Sequence, residues 1–166
     1  MKIFYPKMHA RSIQDIDLAK LKSMGITNLI VDLDETLRKR NSGTMPESSI
    51  EWIKDTKAKG FNICISSNNP FFWVNRGLSK LLGVPISTLA LKPFPFAIHH
   101  AMWTLRSKRK NTALIGDQLF TDILGANLAG VYSILVDPIT GVEKGFLRRL
   151  MRWFEQKIFP RVSLDL

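Results

Sequence analysis

The apolar run Thr27-Asn28-Leu29-Ile30-Val31 breaks directly into Asp32-Leu33-Asp34-Glu35-Thr36, and this change of character constrains the fold more than any other feature. The run has the length and β-branched content of a buried parallel strand, with Gly25 supplying a turn before it. Two carboxylates at the end of such a strand carry a large desolvation penalty unless they meet a cation or open into a crevice. The fold must therefore bring this strand end to an edge where a ligand or metal sits. Asp32 and Asp34, two residues apart, can converge on one reaction centre as the chain turns, one as nucleophile and the other as acid or base. Thr36 adds a hydroxyl and a backbone donor for an anion. A capping or turn cluster is the competing reading, since Asp and Thr are common there too.

Three later runs repeat the pattern. Phe61-Asn62-Ile63-Cys64-Ile65 ends in Ser66-Ser67-Asn68-Asn69, small polar side chains suited to phosphate oxygens. Ser87-Thr88-Leu89-Ala90-Leu91 leads to Lys92-Pro93, and Thr112-Ala113-Leu114-Ile115-Gly116 delivers Asp117, with Asp122 five residues on. Taken singly, these are an acceptable helix N-cap, a solvated lysine, and a turn residue followed by a helix-start charge. Their coincidence in chain order is what the single readings leave unexplained. Helical segments are expected at 13–23, 46–59, 71–82, 95–106 and shortly after 122, with a further strand at 131–136. Such alternation implies right-handed βαβ units in an α/β, doubly wound parallel sheet, whose ligands sit at the carboxyl ends of the strands.

With these motifs in place, the chain resembles the haloacid dehalogenase (HAD) superfamily phosphatases over essentially its whole length. Asp32-Leu33-Asp34-Glu35-Thr36 is similar to that family's first motif, Ser66 to its second, Lys92 to its third, and Gly116-Asp117 through Asp122 to its fourth. Within the superfamily it looks most like the YqeG branch of subclass III, related to the phosphatidylglycerophosphate phosphatases. Ser67 departs from the Asn usual in that branch, so the choice between Ser66 and Ser67 as the phosphate-binding serine stays open. The resemblance implies a HAD-like Rossmannoid fold and a division of labour. Asp32 is the nucleophile that forms an aspartyl-phosphate, and Asp34 the acid and base. Lys92 offsets charge on the transferring group, while Ser66 and Thr36 hold its oxygens. It further implies Mg²⁺, held by the carboxylates of Asp32 and Asp117 and the backbone carbonyl of Asp34, with Asp122 in a supporting position.

Length leaves no room for a large cap, and Leu37 through Met45 allows a small flap at most. The 166 residues, 45% hydrophobic, suit one HAD-like domain over 1–166, with an N-terminal extension at 1–24 that covers a sheet edge or touches membrane. A capless phosphatase has an open site and suits a large substrate. The net charge of +10 resolves into Arg38-Lys39-Arg40 (+3), Arg106, Lys108, Arg109 and Lys110 (+4), and residues 143–166, with six basic and three acidic groups (+3). Arg38, Lys39 and Arg40 lie just beyond the catalytic loop and would draw an anionic substrate or interface toward it. The 106–110 run also reads as a solvated helix end.

At 143–159, Leu147, Leu150, Met151, Phe154 and Ile158 share one helical face, while Arg148, Arg149 and Arg152 take the other. Such a helix packs on the sheet, lies at an anionic membrane surface, or does both. No apolar run is long enough to span a bilayer and no secretory leader is evident, so the expected place is cytoplasmic or organelle-matrix, peripheral on the inner membrane face. Cys64, the only cysteine, reads as a core residue. Phosphatidylglycerophosphate is the leading substrate. A soluble sugar phosphate or a nucleic-acid 3′-phosphate also suits an open basic site. An RNA-binding protein without catalysis is the remaining class, disfavoured by the complete catalytic set and the lack of interleaved aromatics that would stack on bases.

Overall fold

In the computed structural model, residues 2–40, 42–67, 72–88 and 95–140 are described. The strands are β1 (Met8–Ala10), β2 (Asn28–Asp32), β3 (Asn62–Ser67), β4 (Ile86–Thr88), β5 (Thr112–Gly116) and β6 (Tyr132–Val136). The helices are α1 (Leu18–Ser23), α2 (Glu47–Ala58), α3 (Phe72–Leu82), α4 (Pro95–Thr104) and α5 (Leu124–Ala129). All strand pairings are parallel, in the order β1-β6-β5-β2-β3-β4. The chain winds outward from β2 to β4, then crosses back to β5 on the other side of β2. This reversal is the topological switch point, where neighbouring loops part and leave a crevice at the strands' carboxyl ends.

Both β2 and β5 are buried at every position. Side chains alternate between the sheet's two faces. Leu29, Val31, Ile63, Ile65 and Ile115 join Leu21, Trp52 and Ile53 in one cluster on the α1–α2 side. Ile30, Cys64 and Leu114 pack with Ile98, Ala101 and Met102 of α4 and Ala126 and Ala129 of α5 on the other. Burial pushes the Cys64 thiol up to about 11, consistent with an inert core residue.

The N-terminal residues do more than cover an edge. Met8–Ala10 pairs with β6 as an edge strand, so the expected extension at 1–24 is built into the sheet. The helix expected at 13–23 is broken. Ile13–Asp15 forms a 3₁₀ turn and Ile16 is extended at ψ 119°, before the Asp17 carboxylate caps α1 by accepting from the Lys20 N–H at 2.9 Å. The described residues between β2 and α2, 33–40 and 42–46, form a loop pinched by a bridge between Asp34 and Arg38. No cap is present among the described residues. The amphipathic segment 143–159 lies outside them.

Candidate active site

Strand register brings the first site residues together. Asp32 closes β2, 8% exposed, and its partner in β3 is Ser66. Parallel partners project to the same face and their neighbours to the other. Ser66 therefore shares a face with Asp32, and Ser67, equally buried, belongs to the opposite one. This favours Ser66 as the phosphate-binding serine.

On the other flank, Val31 pairs with Ile115, so the next residue, Gly116, lies beside Asp32. Its lack of a side chain matters. A Cβ there would overlap the Asp122 carboxyl group and lie 2.5 Å from the Asp122 Cβ. The space is available because the chain after Asp117 coils into a π turn, Leu119–Ile123, in which the amides of Asp122 and Ile123 both donate to the Gln118 carbonyl. Wide turns of this kind recur at functional sites, because the extra residue re-aims a side chain. Asp122, 1% exposed, is swung back over Gly116, where its Oδ2 accepts from the Gln118 N–H at 3.2 Å.

Asp32, Asp117 and Asp122 consequently form a buried cluster in which one carboxylate oxygen from each lies within 4.8 Å of the others. Three like charges so close repel strongly in a low-dielectric setting, and a divalent cation offsets that repulsion. An all-oxygen carboxylate set fits a hard ion such as Mg²⁺. Asp122, expected in a supporting position, is here a potential direct ligand.

The Asp34 side chain is engaged elsewhere. Its Oδ1 accepts from the Arg38 Nε at 3.1 Å, with the Arg38 side chain 4% exposed and that of Asp34 16%. This corrects the expectation that Arg38 forms part of a surface cation cluster: it is buried against Asp34, while Lys39 and Arg40 remain exposed. Glu35 directs the turn that does this. It adopts φ +73°, its N–H donates to the Arg38 carbonyl at 2.6 Å, and its Oε1 accepts from the Arg40 N–H at 2.9 Å. Its Oε2 accepts from the Thr140 hydroxyl at 2.6 Å and the Thr140 N–H at 3.2 Å, which ties the loop to the end of β6. The Thr36 hydroxyl is buried and makes no hydrogen bond among the described residues, so it can serve an incoming anion.

Lys92, Asn68 and Asn69 lie outside the described residues. Sequence reasoning gave Glu35 and Gly116 no role of their own. A glutamate in a tight loop after the acidic pair was a signal available for the first. For Gly116, nothing local to the sequence reveals that another side chain occupies its space.

Comparison with known proteins identifies the family. Residues 29–88 match the family model of haloacid dehalogenase-like hydrolases, and residues 90–145 that of HAD-hydrolase-like proteins. Over 162 residues, 98% of this chain and 93% of the relative, the chain is 35% identical to "Probable phosphatase YqeG" of Bacillus subtilis (strain 168). Among solved structures, the cobalt-bound deoxy-D-mannose-octulosonate 8-phosphate phosphatase (YrbI) of Haemophilus influenzae shares the fold. It aligns at TM-score 0.55 and 19% identity, over 87% of this chain and 96% of that one. An uncharacterized protein of Listeria monocytogenes serotype 4b aligns at TM-score 0.56 and 21% identity, over 66% and 78%.

Proposed function

We propose, on the premise that this chain belongs to the haloacid dehalogenase-like hydrolases and among them to the YqeG phosphatases, that it hydrolyses a lipid phosphate monoester, phosphatidylglycerophosphate, with the help of Mg²⁺. Phosphatase chemistry follows from the family. The observation that carries the mechanism is the convergence of Asp32, Asp117 and Asp122, with Asp34 two residues beyond the nucleophile.

In the first step an Asp32 carboxylate oxygen attacks phosphorus in line. The bond to the ester oxygen breaks as the aspartyl-phosphate forms, and the leaving alkoxide takes a proton from Asp34. Asp34 then removes a proton from water, which attacks the same phosphorus, releases phosphate and restores Asp32. Oδ1 of Asp34 is held by Arg38, so its other oxygen is the one for proton transfer. The Ser66 and Thr36 hydroxyls hold phosphoryl oxygens, and Lys92 offsets their charge. Mg²⁺ bound by Asp32, Asp117 and Asp122, with the Asp34 backbone carbonyl, would supply neutralisation of the phosphate charge.

The lipid reading is supported by the absence of a cap among the described residues and by the exposed Lys39 and Arg40 beside the loop. No helix among the described residues is long and apolar enough to cross a membrane, which accords with peripheral access to the substrate. Phosphate release is to be compared among phosphatidylglycerophosphate, a soluble glycerol phosphate and 3′-phosphorylated oligonucleotides. Preference for either soluble class would refute the lipid assignment. Asp32→Asn should abolish Mg²⁺-dependent release from any of them without unfolding the protein, and retained turnover would remove the aspartyl-phosphate.

A further inference from the structure

Among the described residues, five of the eight large apolar side chains left exposed lie on one layer, the others being Met24, Leu81 and Ile139. Phe96, Trp103 and Leu128 project from α4 and α5, at 54%, 77% and 51% exposure. Ile3 and Tyr5, also exposed, belong to the N-terminal turn on the same side. That turn is fixed to α5 by Asn127, whose Nδ2 donates to the Ile3 carbonyl at 2.7 Å and the Tyr5 carbonyl at 3.0 Å. Phe96 and Trp103 are two helical turns apart and share the outward face of α4, whose inward face sends Ala97, Ile98, Ala101 and Met102 into the core. The outward face also carries exposed His100 and Thr104, so Phe96 and Trp103 stand on it as large apolar side chains among polar ones.

Charge on this layer has one sign. Arg106, Lys108, Arg109 and Lys110 are all exposed just past α4, and a Cβ at Gly130, where α5 ends, would lie 3.5 Å from Arg109 Cδ. The cluster thus spans both helix ends. From Pro95, where α4 begins, to Gly116 the sequence holds Arg106, Lys108, Arg109 and Lys110 and no Asp or Glu. Asp122, the one acidic residue of the π turn and α5, is buried in the carboxylate cluster. The opposite layer is different in kind. Asp15, Asp17, Glu47, Glu51 and Asp55 are interspersed there with Lys20, Lys22, Lys54, Lys57 and Lys59, all exposed.

A partner for the α4–α5 face must offer negative charge and apolar depth together. A nucleic-acid backbone answers the cations but does nothing for Phe96, Leu128 and Ile3. A second copy offers a charge-balanced layer or the same cationic one. The chain's own residues 143–166, with six basic and three acidic groups, repeat the sign. The interfacial zone of an anionic bilayer supplies both properties, since Trp and Phe insert at headgroup level while Lys and Arg meet lipid phosphates.

We infer that the α4–α5 face docks this protein on an anionic membrane, with Trp103 and Phe96 as apolar anchors and Arg106, Lys108, Arg109 and Lys110 as headgroup contacts. The inference rests on the lipid-phosphatase reading for its biological sense. α4 runs back along the sheet for about 15 Å, with Phe96 toward the catalytic edge and Trp103 toward the opposite one. A bilayer along this face lies parallel to the strands, and the Asp32 edge opens sideways beside the headgroups.

Sedimentation with phosphatidylcholine vesicles, with and without phosphatidylglycerol, tests this. Wild type should partition onto the anionic vesicles and be released by salt. The triple variant Trp103→Ala, Lys108→Glu, Lys110→Glu alters only exposed positions. It should keep its melting temperature and its turnover of p-nitrophenyl phosphate, and lose at least ~tenfold in partition. Partition equal to wild type, equal wild-type binding to neutral vesicles, or tighter binding of an oligonucleotide than of vesicles would each overturn the docking surface. The substrate assignment fails separately. Binding lost in the variant while wild type leaves phosphatidylglycerophosphate intact sustains the face and removes the substrate. Hydrolysis of the detergent-dispersed lipid by a variant that still binds vesicles does the reverse.

Discussion

Gly116→Ala is the substitution whose cost can be worked most directly from the geometry. The added Cβ would overlap the Asp122 carboxyl group and lie 2.5 Å from its Cβ, in a region where both residues are buried. Overpacking of this kind costs roughly 2–3 kcal/mol. For a domain of this size that lowers the melting temperature by about 5–10 °C. Relief requires Asp122 to withdraw, which removes a carboxylate from the cluster with Asp32 and Asp117, and the Mg²⁺ concentration for half-maximal activity should rise at least ~tenfold. Thermal unfolding by circular dichroism and Mg²⁺ titration of p-nitrophenyl phosphate turnover read the two effects. A mutant cycle isolates the cause. Truncating Asp122 to Ala leaves its Cβ in the way, so the stability cost of Gly116→Ala should persist in that background, whereas Asp122→Gly should relieve most of it. An equal cost in all three backgrounds would refute the steric account, and an unchanged Mg²⁺ midpoint would refute the ligand role of Asp122.

Arg38→Met leaves the Asp34 carboxylate without its buried partner and should cost about 3 kcal/mol, with a fall in phosphatase kcat that Arg38→Lys partly restores. Loss confined to KM would instead favour a substrate-binding role. Glu35→Ala removes the acceptor for Thr140 and should destabilise by about 3 kcal/mol. Glu35→Gly, which accepts the left-handed backbone freely, should be less costly by about 1 kcal/mol, and urea unfolding midpoints rank the pair. Cys64, raised from 9.0 to about 11 by burial, holds its proton more tightly when folded. Its contribution to stability is therefore complete below pH 9 and lost as pH rises toward 11, so wild type should lose up to ~2–3 kcal/mol more than Cys64→Ala over that interval. Parallel stability curves for the two proteins would count against it.

The doubly wound sheet and the convergence of Asp32 with Asp117 are legible in the sequence because both follow from local pattern. Apolar runs of strand length end in polar groups, and parallel topology puts those ends on one edge. Met8-His9-Ala10 was not legible as a strand, for it is three residues long, without β-branched side chains, and depends on pairing with β6 for its existence. A spacing of five after Asp117 does not announce a π turn, so the sequence alone does not bring Asp122 into the cluster with Asp32 and Asp117. Arg38 illustrates a third reason. Three consecutive cations look alike in sequence, and only the left-handed turn at Glu35 decides that the first folds inward to Asp34 while Lys39 and Arg40 face solvent.

That turn also joins two parts of the chain that are 105 residues apart in sequence. The Glu35 carbonyl accepts from the Ile139 N–H at 2.9 Å, and both of its carboxylate oxygens are engaged, one within the loop and one by Thr140. Left-handed backbone at a residue other than glycine costs about 1–2 kcal/mol, and these bonds to a buried carboxylate more than offset it. The loop that bears Asp34, the proposed acid and base, is thus held by the chain leaving β6 as much as by its own bridge at Asp34 and Arg38. Displacing the 137–140 segment must disturb Glu35, and through the Glu35–Arg38 backbone bond it reaches the guanidinium that orients Asp34. Replacing Thr140 by Val is therefore expected to lower turnover, whereas a change placed on the α4–α5 face alters membrane partition alone.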